Sequence, residues 1–344
     1  MSEAPTFPAI FALIEARRLE PRDVGAAFVA ILSGEWTPVQ IGAFATALRQ
    51  HGETPAMIVA AAEALRAVMT PVVHGLDEVV DTCGTGGDGA HTLNVSTAAA
   101  IVVAACGPYV AKHGNRSVSS RCGSADVVES LGIPTDVDPG RQHEVLREAR
   151  IAFLMAPVHH PALRHAAQAR RELGLRTIFN ALGPLVNPAR ATHQLVGVYD
   201  DALRPVMATA LGHLGVKHAW VVRSDDGLDE ISPSGATRVS VLADGKVTER
   251  VVTPQDFGIT PVGLDSLRGG DAQANAAAIV AIFGGAEHPA IPAVVLNAAA
   301  ALSLVRGGDL RACAEEARST IDSRRAEQAL AAWQRAARRA KEPA

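Results

Sequence analysis

From about residue 78 the chain alternates short apolar runs with alanine-rich stretches at helical spacing, and this alternation narrows the possible folds more than any other feature. The runs are "EVVDT", "YVAKH", "AFLMA", "QLVGVY" and "AWVVRS", each short enough for a buried strand. Strands separated by helices form a mostly parallel sheet with crossover connections. The segment "RVSVLADGKVTERVV" reads differently, as a hairpin with Asp244-Gly245 at its turn. The C-terminal part is helical and ends in one charged amphipathic helix from about Arg311 to Arg339, its charges forming a solvated face.

The first seventy residues contain no strand-like run. "TPVQ" sets Thr37 at an N-cap, Pro38 at the first helical position and Gln40 where a capping box needs it; Thr54 and Pro55 repeat the start. Ile41, Phe44, Ala45 and Leu48 recur at helical spacing, as do Ile58, Ala61 and Leu65. A small all-helical unit therefore comes first. The "ALRHAAQARREL" helix and the Gly/Pro-rich "FNALGPLVNP" interrupt the later alternation and return to that unit. The expected fold is α/β, a small helical domain (1–70 plus about 160–188) joined to a larger α/β domain (about 71–159 plus 189–344).

A net charge of −4 gives no global basic field for nucleic acid, and 4% aromatic residues leave little for a base-stacking surface. The N-terminus lacks a basic stretch followed by an apolar one, and the longest apolar segments are too short to span a membrane. Four cysteines form no C-x-x-C pair. These features point to a reduced, cytoplasmic protein that binds neither nucleic acid nor membrane.

"DTCGTGGDGAHTLNVST" follows a strand and precedes a helix. Gly84, Gly86 and Gly89 match G-x-G-x-x-G, but no Asp or Glu occurs from Gly89 through Ala125, where a dinucleotide site needs a ribose-binding acid. No Lys-Ser/Thr follows the last glycine, so the P-loop fails as well. What remains is a loop whose backbone can approach an anion closely, a helix start near Asn94 to Thr97, and the neutral groups of Asn94, Ser96 and Thr97. A tight, capped strand-to-helix turn explains it equally well in isolation. The next unit, "KHGNRSVSSRCGSAD", carries Lys112, Arg116 and Arg121 without a neighbouring carboxylate in sequence. Lys112 or Arg121 alone reads as a solvated surface cation. Two such loops on consecutive strands share the carboxyl edge of the sheet and read together as a polyphosphate cradle.

"SDDGLDEIS" places Asp225, Asp226, Asp229 and Glu230 after a strand, a grouping that suits Mg²⁺, although Asp225 and Asp226 read as solubility acids of a polar turn. Arg170, Arg171 and Arg176 are candidates for a bidentate grip on a ligand carboxylate, or simply surface cations. His159-His160 lacks the spacing of a helical zinc site.

Taken together, "TPVQIGAFATALRQHGET", "DTCGTGGDG", "LNVST", "KHGNRSVSS", "GSAD", "HHPA", "RRELGLRTIFNALGPLVNP", "DGLDE" and "VVLNAAAAL" resemble the anthranilate phosphoribosyltransferase family over most of the chain. The resemblance implies transfer of the phosphoribosyl group of 5-phosphoribosyl 1-pyrophosphate (PRPP) to the amine of anthranilate, the second step of tryptophan synthesis from chorismate. By the resemblance, PRPP is bound by Gly84, Gly86, Gly87, Asp88, Thr92, Asn94, Val95, Ser96, Thr97, Lys112 and Ser124. Anthranilate is bound by Gly84, Asn115 and Arg170, with His113 beside them in an orienting or proton-accepting role. Ser96, Asp229 and Glu230 hold Mg²⁺, expected as two ions per site. A homodimer through the helical part is implied too.

Two positions depart from the family pattern: Arg223-Ser224, where His-Gly is frequent, and Leu163, where relatives carry larger side chains. Both bear on acceptor selectivity. The chemistry agrees with the residues: an aromatic amine is neutral at pH 7 and needs no strong base, while a departing pyrophosphate needs anion holders and metal ligands. Alternatives are a pyrimidine-nucleoside phosphorylase-like enzyme and a non-catalytic PRPP-binding relative.

Overall fold

Fifteen α-helices and seven strands occur among the residues that the computed structural model describes: 5–86, 92–116 and 122–342. The chain opens with α1 (Phe7–Glu15), α2 (Pro21–Leu32), α3 (Pro38–His51) and α4 (Pro55–Val68). The expected capping box is present: Thr37 Oγ1 accepts from Gln40 N at 3.3 Å and Gln40 Oε1 accepts from Thr37 N at 2.9 Å. Thr54 caps α4 through Met57 N. Each cap satisfies a backbone N–H that the first turn leaves without an intrahelical partner.

The sheet follows. β1 (Val80–Asp81), β2 (Val110–Gly114), β3 (Ile151–Met155), β4 (His193–Gly197) and β5 (His218–Ser224) are parallel, and β6 (Thr237–Ala243) and β7 (Lys246–Val252) continue the sheet as an antiparallel hairpin. Asp244 and Gly245 form its two-residue turn, both with positive φ (49° and 72°), as a type I′ turn requires. The order is β3-β2-β1-β4-β5-β6-β7. The chain runs outward from β1 to β3, then returns to β1's other side with β4. β1 and β4 therefore flank the switch point, where an open sheet forms its ligand crevice.

Crossovers and cover come from α5 (Val95–Ala105), α6 (Ser124–Ser130), α7 (Gln142–Ala149), α8 (Ala156–His159), α9 (Arg164–Leu173), α10 (Ile178–Ala181) and α11 (Leu203–His213). The C-terminal part adds α12 (Ala272–Phe283), α13 (Ile291–Arg306), α14 (Leu310–Asp322) and α15 (Arg325–Lys341). The single terminal helix expected from the sequence is thus two, because Arg324 takes the left-handed conformation (φ 59°) and turns the chain between them.

Two apolar interiors lie on the two sheet faces, and alternate residues of the central strands feed them. Leu195, Trp220 and Val222 join the interior built on α5 to α7 and α12 to α15; Val196, Ala219 and Val221 join the one built on α1 to α4 and α9 to α11. The segment 162–186 packs with the N-terminal helices, and this second interior extends without a break onto α11 and the sheet. The helices that come first in sequence thereby share one interior with Val196 and Val198, at and just past the end of β4.

Candidate active site

Four loops meet at the carboxyl edge, after β1, β2, β4 and β5, and glycines permit the closest approaches. Gly197 ends β4, and a Cβ added there would stand 1.5 Å from the Asp229 carbonyl oxygen. A Cβ on Gly84 would stand 3.1 Å from Asp229 Oδ2. The Gly197 carbonyl accepts Thr85 N at 2.8 Å, and Thr85 Oγ1 in turn accepts Tyr199 N at 3.1 Å. The glycine loop after β1 and the acidic loop after β5 are thus seated against each other over the end of β4. Gly197 and Thr85 were missed in the sequence, although a glycine inside the run "QLVGVY" is the usual mark of a close backbone approach.

The start of α5 meets the acidic loop directly. Ser96 N donates to Glu230 Oε1 at 3.2 Å, so a carboxylate oxygen already sits at the helix N-terminus where an anion is expected. The other first-turn groups are turned inward: Val95 N donates to the Leu93 carbonyl and Thr97 N to the Asn94 carbonyl, while Thr97 Oγ1 is buried without a hydrogen-bond partner. Asn94 Oδ1 accepts Asn275 Nδ2 at 2.9 Å. Thr92 bridges to Arg268, and Gly269 lies so close that a Cβ there would be 2.5 Å from the Thr92 carbonyl. Gly86 has positive φ, 64°. Gly87 and Asp88, and Ser117, Ser119, Ser120 and Arg121 of the second loop, lie outside the described residues.

Lys112 is not a surface cation. It is 2% exposed, and its Nζ donates to the Thr82 carbonyl at 2.8 Å and to Thr82 Oγ1 and Ser96 Oγ, each at 3.3 Å. Asp81 is fully buried at the end of β1. Burial raises the Asp81 carboxyl to about 6, against the opposing pull of Lys112. Arg116 also corrects the reading of a carboxylate-free loop: it pairs with Asp126 at 3.0 Å and Glu129 at 2.6 Å, both on α6, which the sequence places ten and thirteen residues away. Folding, not spacing, brings these acids to the loop.

On the other side of β2, His113 Nδ1 lies 3.0 Å from the Gly183 carbonyl. A carbonyl only accepts, so Nδ1 carries the proton and the buried Nε2, without a hydrogen-bond partner, is a bare acceptor. Burial, then neighbouring His160 (edge-on, 5.1 Å between rings), holds His113 well below the ordinary histidine value. The ring is neutral and a weak base, which suits orientation rather than proton uptake. Asn115 is exposed; its carbonyl accepts Ala125 N at 3.2 Å and Ser124 Oγ at 3.4 Å, tying it to the start of α6. Arg170, on α9, is half-buried with its guanidinium 5.7 Å from the Phe179 ring centre, and has no carboxylate partner among the described residues. A guanidinium covered on one face by an aromatic ring is prepared for a planar carboxylate.

The loop after β5 holds its shape through Asp226, not through solvation. Burial would raise this carboxyl, yet the hydroxyls of Ser224, Ser232 and Ser234 together bring it below the ordinary value. Asp226 is therefore a structural hub, and Asp225 pairs with Arg238 at 3.0 Å. Asp229 and Glu230 are left as the acids nearest the glycine loop. Arg223 reaches the Val198 carbonyl at 3.4 Å, so the Arg-Ser departure serves the loop's own scaffold. Leu163 is half-buried against the helical interior.

With this geometry in view, the comparisons are specific. Residues 8–69 match the helical bundle domain, and 76–327 the a/b domain, of the glycosyl transferase family. Anthranilate phosphoribosyltransferase of Moorella thermoacetica is 46% identical over 325 residues, which are 93% of this chain and 96% of that protein. The chain belongs to the anthranilate phosphoribosyltransferase family. Among solved structures, the Thermus thermophilus enzyme superposes with a TM-score of 0.90 at 37% identity, over 96% of this chain and 99% of that one. The Saccharomyces cerevisiae enzyme, in complex with PRPP and Mg, gives 0.90 at 27% identity over 98% and 99%. The family's helical and a/b models divide the chain between residues 69 and 76, where the helices give way to the sheet.

Proposed function

We propose that this protein transfers the phosphoribosyl group of PRPP to the amine of anthranilate, giving N-(5-phosphoribosyl)anthranilate and pyrophosphate in tryptophan biosynthesis. The observation that carries the reading is the meeting of the glycine loop, the α5 start and the Asp229-Glu230 loop over Gly197, in a chain of this family. PRPP lies along Gly84, Gly86, Gly87, Asp88, Thr92 and Asn94 to Thr97, with Lys112 behind Ser96 and Ser124 opening α6.

The donor set fits magnesium. It is made of hard oxygens only, Ser96 Oγ and the carboxylates of Asp229 and Glu230, and no cluster of three or more His, Cys, Asp or Glu side chains forms a self-sufficient metal cage among the described residues. Mg²⁺ characteristically takes one or two carboxylates and completes its shell with substrate phosphates and water, and we assign two ions to the site. When bound, magnesium supplies charge neutralisation of the departing pyrophosphate.

The chain's own residues supply the rest. Backbone N–H groups of the glycine loop orient the phosphates, with the dipole of α5 behind them, its own first-turn N–H groups being bonded within the protein. Arg170 pairs with the anthranilate carboxylate, Asn115 and Gly84 border its ring, and His113 Nε2 accepts a hydrogen bond from the amine. Since that amine is neutral, positioning its lone pair against ribose C1 is the main task. His113 orients; it need not act as a strong base.

The helical part, α1 to α4 with the returning segment about 160–188, forms one domain and the remainder the other. Two copies pair through the helical domain, in keeping with Val39 at 81% and Val29 at 50% exposure on its outer faces. The protein works in the cytoplasm; no described helix is long and apolar enough to cross a membrane. Pyrophosphate release tests the reaction: it should require anthranilate, PRPP and Mg²⁺ together. Turnover that required inorganic phosphate would favour the phosphorylase alternative, and PRPP binding without release would favour the non-catalytic one.

A further inference from the structure

Asn94 stands at the N-cap of α5 and does not cap it through its side chain. An asparagine there ordinarily turns its amide oxygen onto a first-turn N–H. Here Ser96 N goes to Glu230 and Thr97 N to the Asn94 main-chain carbonyl, while the Asn94 side-chain oxygen is turned elsewhere. It accepts Asn275 Nδ2 at 2.9 Å and the Cys122 thiol at 3.5 Å. Asn275 lies in the first turn of α12, 2% exposed, within the alanine-rich stretch "AQANAAA". A buried amide among alanines costs free energy unless its polar atoms are bonded. Both are: Oδ1 accepts Gly270 N at 2.8 Å, and Nδ2 donates to Asn94.

The direction of this chain of bonds is fixed at one end. A backbone N–H only donates, so the Asn275 oxygen faces Gly270 and its NH2 faces Asn94. An NH2 only donates in turn, so the Asn94 oxygen faces Asn275. The Asn94 NH2 is the end left over, and it has no hydrogen-bond partner among the described residues. We propose that Asn275 is a positioning residue for PRPP: it sets the amide of Asn94 so that N–H donors, not the carbonyl oxygen, are presented to that substrate. The inference rests on the function proposed above. Phosphate oxygens are acceptors, and an amide turned the other way would set oxygen against oxygen. Asn275 itself touches no substrate in this scheme. The residues before α12 brace the same loop through the backbone: Leu93 N donates to the Leu267 carbonyl at 2.8 Å, and Thr92 bridges to Arg268. The Asn275 side chain adds the choice of which amide end faces PRPP.

The test is a double-mutant cycle on PRPP affinity, measured by calorimetry with Mg²⁺, using Asn94→Ala, Asn275→Leu and the two together. Asn94→Ala removes hydrogen bonds to a charged group and is expected to weaken PRPP binding by about 10- to 150-fold. Asn275→Leu, close in shape, leaves the Asn94 amide free to turn. Neighbours in one hydrogen-bond network couple over about two- to 150-fold, and a loss of about fivefold or more is expected. In the double variant Asn275→Leu should add less than about twofold to the loss from Asn94→Ala, while its effect on melting temperature persists on both backgrounds. That split separates orientation of the amide from support of the fold. The KM for anthranilate at saturating PRPP should stay near the wild-type value. Unchanged PRPP affinity in either single variant overturns the proposal, and so do losses that simply multiply in the double variant. If Asn275→Leu does not fold, Asn275→Ala decides by the same criteria; failure of both to fold makes the residue purely structural and also overturns it. A wild-type chain that binds no PRPP overturns the functional reading first, and is distinguished by that result.

Discussion

The Ser96 backbone N–H donates to Glu230 Oε1 at 3.2 Å, joining the first turn of α5 to the loop after β5 across 134 residues of sequence. This bond draws the glycine loop's helix and the acidic pair into one oxygen-lined site. Removing the Glu230 charge should therefore disturb both the metal requirement and the helix start. Glu230→Gln, which keeps a carbonyl acceptor, and Asp229→Asn are each expected to raise the Mg²⁺ needed for half-maximal rate and to lower kcat/KM for PRPP on the order of 10²-fold. A rate series over Mg²⁺ concentration checks this; an unchanged Mg²⁺ dependence in either variant would show that its carboxylate is not used.

Gly197 is the structural hinge of that arrangement. A methyl group there would overlap the Asp229 carbonyl, at 1.5 Å, so backbone must move. Overpacking of this kind costs about 1–3 kcal/mol. Gly197→Ala should lower the melting temperature modestly and activity far more, because the displaced element carries Asp229. A variant equally stable and equally active would contradict the close seating described here.

Arg170 offers a cleaner split between substrates. Losing a charge-assisted hydrogen bond to a carboxylate costs about 1.5–3 kcal/mol, roughly 10- to 150-fold in affinity. Arg170→Ala is expected to raise the KM for anthranilate by that order while PRPP binding stays close to wild type. Arg170→Lys should recover only part of the loss, since a lysine lacks the planar fork. Calorimetry with PRPP and steady-state kinetics with anthranilate distinguish the two.

The buried titratable groups predict acid lability. Burial first, and then neighbouring imidazoles, lower His113 well below 6.5 and His160 to about 4; burial lowers His159 as well. Between those folded values and 6.5 the unfolded chain binds more protons, so stability falls as pH drops through that window. For His160 the difference amounts to about 3 kcal/mol at most. Asp81 acts with opposite sign: its carboxyl, raised from 3.8 to about 6, favours the folded state below 3.8 and loses that contribution as pH rises through 6. Melting temperature should therefore decline from pH 7 to 5, less steeply after His160→Gln and more steeply after Asp81→Asn.

Much of this was legible in the sequence. Period and punctuation give the strands, the Thr-Pro helix starts and the Asp-Gly hairpin, because each is a local preference of the backbone. That the glycine loop and the Asp229-Glu230 loop meet was legible too, because loops after parallel strands share the carboxyl edge of one sheet. Four things were not. Arg116 reads as a free cation, since its partners Asp126 and Glu129 approach only when α6 folds back. Lys112 taken alone reads as a surface cation, since nothing local reports its burial. Asp226 reads as a solubility acid, whereas three serines from its own loop enclose it. The two terminal helices read as one because their apolar stripe continues across Arg324, whose left-handed turn has no glycine to announce it. In each case tertiary contacts decide what local patterning leaves open.

The most direct measurement is anthranilate fluorescence followed in time with PRPP and Mg²⁺, each omitted in turn. The account predicts a loss of fluorescence that requires all three, and that Glu230→Gln slows without abolishing PRPP binding. Steady fluorescence in a folded sample that binds PRPP would contradict it, and would move the search to other acceptor amines.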